Sequence, residues 1–171
     1  LYTMDDAISV LSHFVACEYN TMISVAEGIQ IRFTDVGHLL GSASIEVWVQ
    51  EEEGEKKLLF SGDIGNKNQP LIKDPQYLSD ADYVIMESTY GNRNHEAPPD
   101  YAVELAKVMN ATFTKGGNLV IPAFSVGRTQ EMLYFMRRIK TEDLLPEYPN
   151  FEVYIDSPLA VEATNIFNKN V

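Results

Sequence analysis

Cysteine is nearly missing from this chain: Cys17 stands alone among 171 residues. A single thiol cannot form an internal disulfide, and no CxxC metal or redox pair exists, so a reducing, cytoplasmic setting is expected. Cys17 lies beside Phe14, Val15 and Ala16 and is expected to be a small buried side chain. Long apolar runs are missing as well. A stretch such as Leu119–Phe124 is far short of the roughly 20 residues that span a bilayer, so no membrane partner is expected. No basic segment followed by an apolar one marks a secretory leader. Positive charge is scarce, with 13 Lys and Arg against 25 Asp and Glu and a net charge of −12. A free-standing nucleic-acid binder is usually basic, which counts against that class.

The charge deficit is uneven. Residues 1–92 hold 5 cations and 15 acids, and residues 93–171 hold 8 and 10. Part of the acidity is the run Glu51, Glu52, Glu53, Glu55, which reads as a solvated hairpin tip. Bound divalent metals would cancel local negative charge at a site. With 45% hydrophobic and 11% aromatic residues, the chain can bury a core and is not of the disordered class. Its length suits one domain or parts of two. It starts at Leu1 rather than Met, and reads as an internal piece of something longer.

Periodicity supplies the elements. Asp5 or Asp6 is placed to cap a short helix through Ala7, Ile8, Leu11 and Phe14. Ile29, Ile31 and Phe33 alternate with polar residues, the spacing of a strand. Ile45–Val49 and Lys57–Phe60 form a hairpin around Gly54. Tyr83–Met86 is apolar without alternation, which predicts a strand buried on both faces. The polar, Pro-containing stretch Asn92–Pro99 is the best domain boundary. Beyond it the pattern predicts a helix from Asp100 to Thr114, stopped by Gly116-Gly117, and a buried strand over Leu119–Pro122. A helix from Arg128 to Lys140, a strand over Phe151–Ile155, and a helix opened by Asp156-Ser157-Pro158 and running to Phe167 follow. Repeats and low-complexity segments are absent. The class is α/β.

Three turns at predicted strand ends present chemistry-bearing side chains, where binding groups sit in α/β folds. His38 follows Gly37, and glycine there permits a sharply held imidazole. The alternative is an ordinary hydrogen-bonded histidine. Asp63 lies between Gly62 and Gly65 after an apolar strand, where a carboxylate can bind one metal or bridge two; the alternative is an Asx-turn. Glu87 leaves Tyr83–Met86 and could orient a histidine or relay a proton; the alternative is a cap of the next turn by Glu87, Ser88 or Thr89. Ser125-Val126-Gly127-Arg128-Thr129 joins a strand to a helix start. Ser125 and Arg128 there suit a substrate phosphate. Equally, Ser125 or Thr129 caps the helix while Arg128 pairs with Glu131. Arg137, Arg138 and Lys140 read as a solvated basic helix end. His95 reads as solvated in the polar linker.

Taken together, the runs DVGHLLGSA (35–43), FSGDIG (60–65), MESTYG (86–91), IPAFSVGRTQEML (121–133) and DSPLAVEAT (156–164) resemble, in that order, the β-CASP branch of the metallo-β-lactamase superfamily. The resemblance covers nearly the whole chain. It implies part of an αββα sandwich over 1–92, followed over 93–171 by the first half of an inserted α/β β-CASP domain. It implies a zinc-dependent phosphodiester hydrolase acting on RNA, or on single-stranded DNA, as exo- or endonuclease. His38 would be a ligand of one zinc and Asp63 the bridge between two. Glu87 would support a histidine near the scissile phosphate, making His38, Asp63 and Glu87 the catalytic group. Such a pair of metals activates a water and neutralises developing phosphate charge.

The chain departs from the family in lacking its HxHxDH motif; His13, in Ser12-His13-Phe14, does not match it. The family's two later histidines would fall beyond Val171. The expectation is therefore that this polypeptide alone binds zinc poorly and hydrolyses nothing. Missing sheet partners would leave open edges, from which homo-oligomerisation or strand exchange is expected. Two other readings stand beside the nuclease: a metallo-hydrolase of another ester, and a non-catalytic homologue acting as a scaffold.

Overall fold

The computed structural model describes residues 1–171. The chain forms two compact units. The first comprises Leu1–Val36, Ala43–Ile64 and Gln76–Glu87; the second comprises Gly37–Ser42, Gly65–Pro75 and Ser88–Val171.

The first unit is built on a five-stranded sheet in sequential order. Its strands are β1 (Ile23–Ala26), β2 (Ile29–Asp35), β3 (Ala43–Glu51), β4 (Gly54–Phe60) and β5 (Tyr83–Ile85). The first four run antiparallel, and β5 joins β4 in parallel. The hairpin register pairs Glu51 with Gly54, so the acidic run does occupy an exposed tip. β1 is an addition to the sequence reading, because its Ile-Ser-Val-Ala run is too short for periodicity to declare itself.

One face of this sheet is polar and yet the more buried. Thr34, Ser44, Glu46 and Ser61 are buried there, with Glu46 fully enclosed. Arg32, directly opposite Glu46 in the ladder, donates to both of its oxygens at 2.6 and 2.9 Å. Lys57 completes the triad at 2.7 Å. Both cations also lie over the Trp48 ring, each 5.3 Å from its centroid. Burial pushes the Glu46 carboxyl up, but the hydrogen bonds from Arg32 and Lys57 outweigh it and hold the group below the usual range.

Before the sheet, helix α1 (Met4–Ser9) runs into a 3₁₀ turn (Val10–His13). Its cap is Thr3, not Asp5 or Asp6: Thr3 Oγ1 accepts from the Asp6 amide, and the Asp6 carboxylate accepts from Thr3. The reciprocal pair is a capping box, two or three positions earlier than expected. Cys17, expected buried, is exposed. The segment around it is exposed throughout, so its apolar neighbours give it no cover. Tyr83–Met86 is likewise corrected. It does form an edge strand, but each of its residues is exposed, because no layer covers either face of β5.

The second unit is carried by α2 (Tyr101–Phe113), α3 (Arg128–Thr141) and α4 (Pro158–Asn170). Asp100 caps α2 by accepting from the amides of Ala102 and Val103. Ala102, Ala106 and Met109, at helical spacing, face Phe135 and Ile139 of α3 in a core closed by Leu145 and Phe151. Ser157 caps α4, with Pro158 in its first turn as the sequence predicts. The α3 start differs: Gly127 is the cap residue, and neither Ser125 nor Thr129 serves. Thr129 instead donates its hydroxyl back to the Phe124 carbonyl at 2.8 Å.

Arg138 is not the solvated residue expected. It holds Glu142 in a bidentate pair at 2.8 and 2.9 Å and reaches Asp100 at 3.2 Å, tying α3 to the cap of α2. Its hydrogen bonds with Glu142 and then Asp100 raise the guanidinium further, and both acids are lowered in turn, chiefly by Arg138.

The two expected strands of this unit, Leu119–Pro122 and Phe151–Ile155, run without ladder partners. Val120 is 83% exposed, so the first is not buried either. A groove of about 1060 Å³ is lined by both segments over a floor that includes Met109, Phe113, Met132 and Met136.

Candidate active site

Each predicted site residue sits on a turn at the end of an ordered segment. In the first unit, Asp63 is exposed three residues past the end of β4, and Glu87 is half-buried two past the end of β5. The structure brings these two turns together. The Ser61 amide donates to the Ile85 carbonyl at 2.9 Å, and the Glu87 amide donates to the Ser61 hydroxyl at 3.0 Å. The Ser61 carbonyl in turn accepts from the Ser44 hydroxyl at 2.7 Å. Buried Ser61 thus ties the ends of β3, β4 and β5. It was not singled out in the sequence, where Ser61 is merely the residue before a glycine. The parallel pairing of β4 and β5 is the physical cause, since it sends both chains out at the same end of the sheet.

In the second unit, His38 is exposed on the turn Gly37–Ser42. Its amide and that of Leu39 both donate to the Ser42 hydroxyl, at 3.2 and 3.1 Å, and that hydroxyl donates to the Leu39 carbonyl at 2.8 Å. Gly37 has φ +60°, and a Cβ on it would run into the backbone of Lys73 and Pro75. Gly65, two residues beyond Asp63, packs on the Gly37 carbonyl so closely that no Cβ fits there either. Leu39 lies against Gly127, where a Cβ would collide with its Cδ2.

At the start of α3, the Arg128 guanidinium pairs with Glu131 at 2.7 Å, the ion-pair alternative of the sequence reading. The Ser125 and Ser157 hydroxyls are 3.3 Å apart. The residue that organises this turn is Gln130, which sequence reasoning passed over. It is buried, accepts from the Gly127 amide at 2.7 Å, and donates to the Ser125 carbonyl, the Ala160 carbonyl and the Thr164 hydroxyl. A glutamine one turn into a helix that follows a glycine is a weak signal, which could have been weighed as an N3 capping group. His95 is exposed, as expected, and its ring packs edge to face on Tyr90, with centroids 4.4 Å apart.

No group of three or more His, Cys, Asp and Glu side chains able to hold a metal ion occurs in the chain. The imidazole of His38 and the carboxylate of Asp63 fit zinc by chemistry. By number they do not make a centre, since catalytic zinc takes three protein ligands. The groove of the second unit is lined by Ser125 but by none of His38, Asp63 and Glu87.

No family model matches the chain. Individual proteins do. It is 32% identical over 167 residues to Ribonuclease TTHA0252 of Thermus thermophilus, covering 98% of this chain and 36% of that protein. The chain belongs to the β-CASP family of metallo-β-lactamase proteins. Transcription termination factor FttA of Methanosarcina mazei is 34% identical over 160 residues, 91% of this β-CASP chain and 24% of the factor. An RNase J-like protein of Methanocaldococcus jannaschii is 30% identical over 169 residues, 97% of the chain and 38% of the relative. The β-CASP chain thus spans between about a quarter and two fifths of these relatives' lengths. The mixed α/β architecture, a five-stranded sheet with helices, accords with part of that fold. No helix is long and apolar enough to cross a membrane.

Proposed function

We propose that this chain is part of a zinc-dependent phosphodiester hydrolase that acts on RNA in the cytoplasm. The observation that carries the reading is the Ser61–Glu87 bond, which holds the Asp63 and Glu87 turns at one end of the parallel pair β4–β5. Relatives named as a ribonuclease and an RNase J-like protein support it. In this reading His38 and Asp63 are zinc ligands, completed by donors outside these 171 residues. Zinc, when bound, supplies an activated water and positive charge for the phosphate.

The chain's own groups do the positioning. The Ser42 hydroxyl holds the His38 turn through two amides. The buried Ser61 holds the Asp63 turn, and through it the Glu87 carboxylate, which orients a histidine near the scissile phosphate. Arg128 contributes to substrate phosphate only by exchanging its Glu131 partner, and Ser125 by turning its hydroxyl from Ser157.

The test is zinc content and RNA cleavage by the full-length protein containing this chain. Asp63→Ala and His38→Ala are expected to lower bound zinc and to cut cleavage at least 100-fold, with the fold retained. Disturbing only a group that orients a ligand typically costs about 10- to 100-fold. Cleavage that persists at the native rate in Asp63→Ala, or a zinc-loaded native protein that cleaves no RNA, overturns the reading. The second result leaves the scaffold or another ester substrate.

A further inference from the structure

Beyond the Glu87 turn lies a cluster that the proposed chemistry does not use. Gly91 donates its amide to the Ser88 carbonyl at 3.0 Å, and Arg93 donates its own to the Tyr90 carbonyl at 3.2 Å. The second turn puts residues three apart side by side. The Arg93 guanidinium accordingly lies over the Tyr90 ring, 4.9 Å from its centroid. His95 meets the same ring edge to face, with an interplanar angle of 67°.

All three side chains are exposed. Aromatic and guanidinium groups that stack in plain solvent expose planes without burying them, so core packing does not account for the cluster. The charge setting is unusual for this acidic chain. The stretch 88–95 carries Arg93 and no Asp or Glu. Arg32, Arg128 and Arg138 are engaged by carboxylates, whereas Arg93 is engaged by a ring. A charged plane beside aromatic rings, with its charge not neutralised, matches what an unpaired nucleobase and its phosphate require.

We propose that Tyr90, Arg93 and His95 form a stacking platform for an unpaired nucleobase of single-stranded RNA, with Arg93 also contacting the adjoining phosphate. This rests on the RNA reading above and adds the residues that grip the strand. The platform lies within the eight residues that follow Glu87 in the chain. It is sequence-tolerant, because every base has a stacking face.

The test uses a fluorescent oligouridylate with the 171-residue chain for binding and with the full-length protein for cleavage. Tyr90→Ala is expected to weaken binding roughly 5- to 100-fold, and Tyr90→Phe to recover it. Arg93→Lys keeps the charge and loses the plane, so it weakens binding while preserving the salt dependence. Arg93→Ala also lowers the salt slope by about 0.7. In the full-length protein Tyr90→Ala raises KM and leaves kcat near native. Circular dichroism checks that each variant folds.

Native-like binding and KM in both Tyr90→Ala and Arg93→Ala overturn the platform and leave the nuclease reading standing. The same holds if a full-length protein that cleaves RNA contains a 171-residue chain that binds none of the oligonucleotide. A full-length protein that neither binds nor cleaves RNA overturns both.

Discussion

The Glu87 amide and the Ser61 hydroxyl lie 3.0 Å apart, and this bond couples the ends of β4 and β5. Ser61 also donates its hydroxyl to the Gly62 carbonyl at 2.7 Å, within the turn that carries Asp63. Ser61→Ala removes the hydroxyl that accepts from the Glu87 amide. The expected cost is about 1–3 kcal/mol, read by chemical denaturation. If the full-length protein is the hydrolase proposed above, cleavage should fall further than stability does, because the two carboxylate turns lose their side-chain tether and keep only the Ser61–Ile85 backbone bond. Stability and cleavage both within error of native would remove Ser61 from the site.

Glu46 sets an acid limit on the first unit. Its folded pKa lies below the ordinary value of about 4.3. A lowered carboxylate contributes stability that is present above the unfolded value and is lost as pH falls through the folded one. Unfolding followed through Trp48 fluorescence should therefore show stability flat above about pH 5 and dropping below about pH 4. Glu46→Gln strands two cations, one of them a third exposed. A loss near the low end of roughly 3–5 kcal/mol follows. An unchanged acid profile in Glu46→Gln would show that another group sets the limit.

Gly37 and Gly65 should be intolerant of a single methyl group. At Gly37 the +60° backbone and the collision with Lys73 and Pro75 act together. At Gly65 the obstacle is steric alone, the Gly37 carbonyl. Either Gly→Ala change forces backbone rather than a side chain to move, and each should cost more than the roughly 1 kcal/mol of a plain left-handed glycine. Gly41→Ala is a useful contrast, with φ +82° but open space around it. Thermal shifts should rank Gly37 worst and Gly41 mildest; equal shifts would argue against the close approach.

Gln130 should be the most sensitive position of the SVGRT turn. Gln130→Ala removes four hydrogen bonds, including those to the Gly127 amide and the Ser125 carbonyl of the turn, whereas Thr164 and Ala160 of α4 keep their bond to each other. A cost of about 2–4 kcal/mol is expected, against under about 1 kcal/mol for the exposed Arg128→Ala. Hydrogen exchange at Gly127 should accelerate in the first variant and not in the second. The reverse order would mean that the Arg128–Glu131 pair organises the turn.

The sequence by itself determined what depends on neighbours in the chain. The helices α2 and α4 start where expected, capped by Asp100 and Ser157, since a cap bond spans two or three residues. The β3–β4 hairpin follows from alternation around Gly54. The motif runs around His38, Asp63 and Glu87 were legible because each is a strand end followed by a short turn, and they carried the family likeness that the relatives bear out.

Tertiary structure decided what depends on residues far apart in the chain. The alternating polar positions of β2, β3 and β4 do not announce that their face is the buried one. Only pairing sets Glu46 against Arg32 and Lys57. Apolar content predicted burial for Cys17, Val84 and Val120, but burial requires a covering element, and these three positions have none. Ser61 and Gln130 gain their importance from partners 26 and 34 residues away. Those separations exceed any local period, so no pattern within a helix or strand could have revealed them.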